Sequence, residues 1–144
     1  MAEFRNILVP TDFTEPSEHA IDWAIQMASR LGSSITLMHA YELPIVGLPD
    51  ATLIAPAEVA SRIADASRKA LDSALERHKD RGVRIAIVLR QGVAWQEINR
   101  VADEIDADLV VLGTHGRTGL ARTLLGSTAE KVVRSAHHAV ATIH

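Results

Sequence analysis

Apolar residues in this chain fall into short continuous runs, separated by longer stretches in which they recur at helical spacing. Ile7-Leu8-Val9 is a run of the first kind and suits a strand covered on both faces. Pro10-Thr11-Asp12 breaks it. Pro16 then falls in the first turn of a predicted helix capped by Thr14 or Glu15. Ile21, Ala24, Ile25, Ala28 and Leu31 form its apolar stripe, and Gly32 closes it. Residues 34–40 predict a second strand. Residues 41–56 contain Pro44, Gly47, Pro49 and Pro56 without a clear period and predict a long loop, of a length that is usually functional or mobile. A helix is predicted over 57–81. Val83, Ile85, Ile87 and Leu89 alternate with Arg84 and Arg90 as in a strand near a sheet edge. A helix over 94–105, with Trp95 and Ile98 on its core stripe, precedes a buried strand over 108–112. A helix over 128–136 and a short strand, Ala139 to Ile143, end the pattern.

The order βαβαβαβαβ implies an α/β domain spanning residues 1–144, a doubly wound, Rossmann-like fold with helices on both faces. Five parallel strands joined by right-handed crossovers give the order 3-2-1-4-5. Strands 1 and 4 are then neighbours whose following connections diverge, which opens a crevice at their carboxyl ends. The segments leaving those two strands are Pro10-Thr11-Asp12 and Gly113 to Gly126.

Gly113, Gly116, Gly126 and Ser127 follow a buried strand and lead into a helix. A phosphate needs converging backbone N–H groups and no Cβ in the way, and a helix N-terminus supplies both free N–H groups and a favourable dipole. Ser127 and Thr128 add hydroxyls. A strand-ending glycine and an N-cap serine, in a Ser127–Glu130 capping box, are the plainer readings of the same residues. No Lys-Ser/Thr pair follows Gly126 and the glycine spacing is not G-x-G-x-x-G, which excludes the Walker and dinucleotide motifs. Arg117 is the better placed of the loop cations, with Arg122 in solvent. His115 either donates to a phosphate or has no ligand role.

Composition narrows the classes further. The net charge of −3 and the 3% aromatic content lack the signature of a nucleic-acid binder. No apolar run approaches the roughly 18 residues of a membrane span, and no signal-peptide core is visible, so a cytoplasmic location is expected. The chain has no cysteine. His137, His138 and His144 lack the spacing of a helical metal pair and suit a helix C-terminus.

Gly113-x2-Gly116-x9-Gly126-Ser127 resembles the G-2x-G-9x-G(S/T) motif of the universal stress protein family. The likeness extends through Asn6 to Asp12, Ile35 to Ala40 and Ser127 to Ser135. It implies the ATP-binding branch, which this motif marks, and homodimers formed through the last strand, Ala139 to Ile143. That strand departs from the family pattern in lacking its leading proline and larger apolar residues. Residue by residue, the resemblance implies that Pro10, Thr11 and Asp12 line the adenosine side. Asp12 would meet ribose hydroxyls or a phosphate-bound Mg²⁺. Ala40 would flank the adenine, Leu112 and Gly113 would border the nucleoside, and Gly116, Gly126, Ser127 and Thr128 would hold the phosphates. The expected function is an ATP-binding regulatory protein whose occupancy modulates dimer or partner contacts. Beyond Asp12 and Arg117 no catalytic machinery is found, so at most weak ATP hydrolysis is expected. A slow ATPase or phosphoryl- or nucleotidyl-transferase, and a nucleotide-free interaction module of the same fold, are the alternatives.

Overall fold

A computed structural model describes residues 3–48, 51–114 and 125–144. Its elements run β1 (Asn6–Pro10), α1 (Glu15–Leu31), β2 (Ser34–Tyr41), β3 (Ile45–Leu48), β4 (Ala51–Ile54), α2 (Ala57–His78), β5 (Ile85–Gln91), α3 (Ala94–Glu104), β6 (Leu109–Gly113), α4 (Ser127–Ser135) and β7 (Ala139–Ile143). Five strands pair in parallel in the order β5-β2-β1-β6-β7. Counted within that sheet, this is the expected 3-2-1-4-5.

Strand periodicity explains how the sheet separates two cores. Successive side chains of β1 point to opposite faces. Ile7 and Val9 join Ile35, Leu37, Leu109 and Val111 in a core covered by Ala20, Ile21, Ala24 and Ile25 of α1 and by Leu71 and Ala74 of α2. Leu8 joins Met38, Val110 and Leu112 in a second core, covered by Ile98, Val101 and Ala102 of α3 and by Ala129 and Val132 of α4. Ile7, Leu8 and Val9 are all fully buried, which is why the strand reads as an unbroken apolar run. Gly32 ends α1 in the left-handed region, at φ 70°, with its N–H bonded to the Ala28 carbonyl.

Three local expectations need correction. Residues 41–56 hold a two-stranded antiparallel sheet, with Ile45 opposite Ile54 and Leu48 opposite Ala51. Four-residue strands are too short to show a period, and the usable signal was β-rich sequence on either side of Pro49-Asp50. Helix α2 stops at His78 rather than 81, and β5 starts at Ile85, because Gly82 turns the chain at φ 77° between them. The Ser127–Glu130 capping box is not formed. Gly126 occupies the N-cap position of α4, Ser127 is already helical, and Glu130 instead pairs with Arg134 at 2.8 Å.

Polar side chains join α1 to α2 and to the turn that follows it. The buried His78 ring meets Glu18 at 2.8 Å, Arg77 meets the other Glu18 oxygen at 2.5 Å, and Arg81 meets Asp22 at 2.6 Å. Burial pushes the Glu18 carboxyl up, but the hydrogen bonds and charges of His78 and Arg77 together outweigh it and hold the group below its usual value of 4.5. A carboxyl depressed on folding stabilises the protein above its unfolded value, and the contribution is lost as pH falls through the folded value. Glu18→Gln is therefore expected to lower stability by about 1 kcal/mol at neutral pH. That gap should narrow as the pH drops below 4.5. Urea unfolding of both proteins across that range checks this, and a gap that widened on acidification would refute it.

Candidate functional site

Helix α1 follows β1 onto one face of the sheet, and α4 follows β6 onto the other. The neighbouring carboxyl ends of β1 and β6 thus open into a cleft of about 460 Å³, within the usual range for a small-molecule site. Pro10, Thr11 and Asp12 from the end of β1 form one wall with Ser17 of α1. Leu112 and Gly113 from β6 form the other wall with Gly126, Ser127 and Thr128 at the start of α4. Met38 and Ala40 of β2 and Ala94 and Ile98 of α3 close the apolar end beside the exposed Glu42.

Every sequence-derived site residue among those described lines this cleft: Pro10, Thr11, Asp12, Ala40, Leu112, Gly113, Gly126, Ser127 and Thr128. His115, Gly116 and Arg117 lie outside the described residues, as does Arg122. Sequence reasoning missed Ser17, Glu42 and Thr114, which also line the cleft. Thr114 follows Gly113 directly and could have been taken with it. Ser17 and Glu42 carry no motif. Ser17 shares the cleft only because the turn after Asp12 brings the start of α1 back toward the strand end.

The turn after β1 is held from several sides. The Thr11 N–H donates to the Met38 carbonyl at 2.8 Å, and its hydroxyl accepts the Phe13 N–H at 3.0 Å. His39 of β2 places Nδ1 2.7 Å from the Thr11 carbonyl. Phe13 sits in the left-handed region at φ 66°, uncommon for a bulky residue, with its ring 4.5 Å from that of His39. Thr14 occupies the N-cap position of α1, yet makes no capping hydrogen bond. Its hydroxyl turns to Asp12 Oδ1, which also accepts the Thr14 N–H at 3.1 Å and the Ser17 hydroxyl at 2.6 Å.

On the opposite wall, Gly113 is needed for packing against α1. A Cβ there would stand 2.8 Å from the Pro16 carbonyl carbon and oxygen, so the bare backbone lets the first turn of α1 lie against the end of β6. Gly113 does not have positive φ, so close approach rather than a left-handed turn is what requires it. The buried Thr114 donates its N–H to the Ile143 carbonyl at 2.9 Å, and its carbonyl accepts the Gly126 N–H at 2.5 Å. That pair fixes the start of α4 beside the end of β6. Ser127, Thr128 and Ala129 are the first three residues of α4, whose N–H groups have no acceptor within the helix itself, and all three line the cleft.

The arrangement suits a ligand with a flat apolar part and an anionic part. The apolar part fits among Met38, Ala40, Ile98 and Leu112. The anion fits the α4 N-terminus, where free N–H groups and the helix dipole favour negative charge. Among the described residues there is no group of three side chains able to hold a metal ion. A Mg²⁺ carried in on phosphates would need only one or two protein carboxylates, and Asp12 and Glu42 are the carboxylates among the described residues that line the cleft. His138 is engaged with Asp103 at 2.8 Å. Among the described residues no helix is long and apolar enough to cross a membrane.

Comparison with known proteins agrees in sequence and in fold. The universal stress protein family model matches residues 3–144. Universal stress protein MJ0531 of Methanocaldococcus jannaschii is 33% identical over 140 residues, which cover 93% of this chain and 78% of that protein. The structure of universal stress protein UspA from Lactobacillus plantarum is similar over 100% of both chains, with a TM-score of 0.84 and 26% identity. A universal stress protein solved in complex with cAMP is similar over 99% of both chains, with a TM-score of 0.72 and 27% identity. With the fold, the glycine spacing and a family match over nearly its whole length in agreement, this chain belongs to the universal stress protein family.

Proposed function

We propose that this protein binds an adenine nucleotide, ATP accompanied by Mg²⁺, and that occupancy modulates contacts between its own subunits or with a protein partner. The observation that carries the reading is the cleft between β1 and β6, which an acidic turn, a helix N-terminus and apolar side chains line together. The adenine lies against Ala40 and Leu112, the ribose at Asp12, and the phosphates at Gly126, Ser127 and Thr128, with His115, Gly116 and Arg117 completing the phosphate end. The similarity to a universal stress protein that binds cAMP supports the adenine part of this assignment.

Binding rather than turnover is the proposed role. Three donors already converge on Asp12 Oδ1, which suits a carboxylate that orients a ligand better than one that collects a proton from water. The subunit contact is a homodimer through β7, which forms one edge of the sheet. Titration calorimetry with ATP and Mg²⁺ should show saturable binding, and sedimentation with and without ATP should show a dimer whose stability depends on the nucleotide. Absence of heat at about millimolar ligand would rule out the binding, and a monomer under both conditions would rule out the dimer.

A further inference from the structure

We infer that Ser17 is a positioning residue, whose hydroxyl orients the Asp12 carboxylate toward the sugar of the bound nucleotide. The inference rests on the nucleotide reading above and deepens it, by assigning ribose selection to a hydrogen-bonded pair rather than to Asp12 alone.

Ser17 lines the cleft yet is only 6% exposed. Its hydroxyl donates to Asp12 Oδ1 at 2.6 Å and accepts the Asp12 N–H at 3.2 Å, so it grips the residue at both its side chain and its backbone. The Thr14 hydroxyl lies 3.4 Å from the Ser17 hydroxyl and also donates to Asp12 Oδ1. Thr14 would ordinarily cap α1, and its hydroxyl is turned away from that role. Phe13 takes a left-handed backbone between them, which reverses the chain so that Asp12 and Ser17 face the same cleft. A local stabilisation is given up and a strained residue kept, and what both secure is one carboxylate orientation.

The sugar is the part of the ligand this carboxylate suits. Asp12 follows β1 whereas the α4 N-terminus comes after β6, and a carboxylate without a bridging cation repels phosphate. Vicinal ribose hydroxyls are paired donors that an ionised carboxylate accepts in charge-assisted hydrogen bonds. A carboxylate locked before binding loses little freedom on meeting them.

The test compares ATP with 2′,3′-dideoxy-ATP by calorimetry, on the intact chain and with Mg²⁺ present. The wild type should prefer ATP. Ser17→Ala should lower ATP affinity about tenfold while dideoxy-ATP affinity stays within about twofold, so the preference collapses. A purely structural serine would weaken both ligands alike. In an Asp12→Ala background, Ser17→Ala should change the preference no further, because the pair acts as a unit. Thr14→Val, which removes the other hydroxyl donor, should produce a smaller collapse in the same direction and serves if Ser17→Ala does not fold. Equal losses for both ligands, an unchanged preference, or additive effects in the Asp12→Ala background would overturn the role of Ser17. A wild type that binds both ligands equally would overturn it while leaving the nucleotide reading intact. A wild type that binds neither would overturn both.

Discussion

Gly113→Ala is expected to destabilise the protein by about 3 kcal/mol, through overpacking against atoms that cannot swing aside. The added methyl would stand 2.8 Å from the carbonyl carbon and oxygen of Pro16, both backbone atoms. Relief requires moving the first turn of α1 away from the end of β6, and that turn carries Ser17 and adjoins Asp12. Affinity for ATP should therefore fall together with stability. Gly32→Ala is the informative control. Gly32 is left-handed at φ 70°, but a Cβ there meets nothing within 4 Å. Only the backbone preference is lost, about 1 kcal/mol, and the cleft stays as it was. Urea unfolding at constant m-value gives both differences. If Gly113→Ala proved as stable as the wild type, the close approach of α1 to β6 would not constrain the fold.

Asp12→Ala should reduce ATP affinity by about a hundredfold, the loss of two charge-assisted hydrogen bonds to the ribose. Part of the loss is local. Without the carboxylate, the Thr14 N–H and the Thr14 and Ser17 hydroxyls lose their shared acceptor, and the turn between β1 and α1 loosens. Stability should fall by only about 1 to 2 kcal/mol, because Thr11 remains tied to Met38 and Phe13. Calorimetry measures the first effect and thermal unfolding the second. A variant that bound ATP as the wild type does would remove Asp12 from the site and shift the reading toward the α4 N-terminus alone. Asp12→Asn separates charge from shape, since an amide oxygen can still accept from Thr14 and Ser17. Affinity in that variant should fall less than in Asp12→Ala.

The difference between Gly113 and Ser17 shows what could be read in the sequence. Gly113 stood out as a glycine following a buried strand, but one reason for it was out of view. The sequence suggested room for a ligand, and the structure adds that a Cβ is excluded by Pro16, 97 residues earlier in the chain. Ser17 could not be recognised at all. A serine in a helix's first turn has an ordinary local explanation, and only the reversal at Phe13 brings its hydroxyl to Asp12. The capping box failed for a related reason. Ser127 and Glu130 satisfied a local pattern, but the Gly126 N–H is held by Thr114, the helix starts at Ser127, and Arg134 takes the Glu130 carboxylate.

The sequence alone determined the order of the four helices and of the five strands of the main sheet, its parallel pairing and the two crossings that flank the cleft. Those features depend on periodicity and on short-range punctuation by glycine and proline, which any stretch of chain displays by itself. The tertiary structure decided which side chains meet. The Asp12–Ser17 grip, the Gly113–Pro16 contact and the Thr114 link to Gly126 each depend on packing or pairing that sequence patterning does not specify. The apolar pattern fixes which face of an element is buried. The approach of the elements to one another fixes what each face touches, and here it brought Asp12 and the start of α4 to the lining of one cleft.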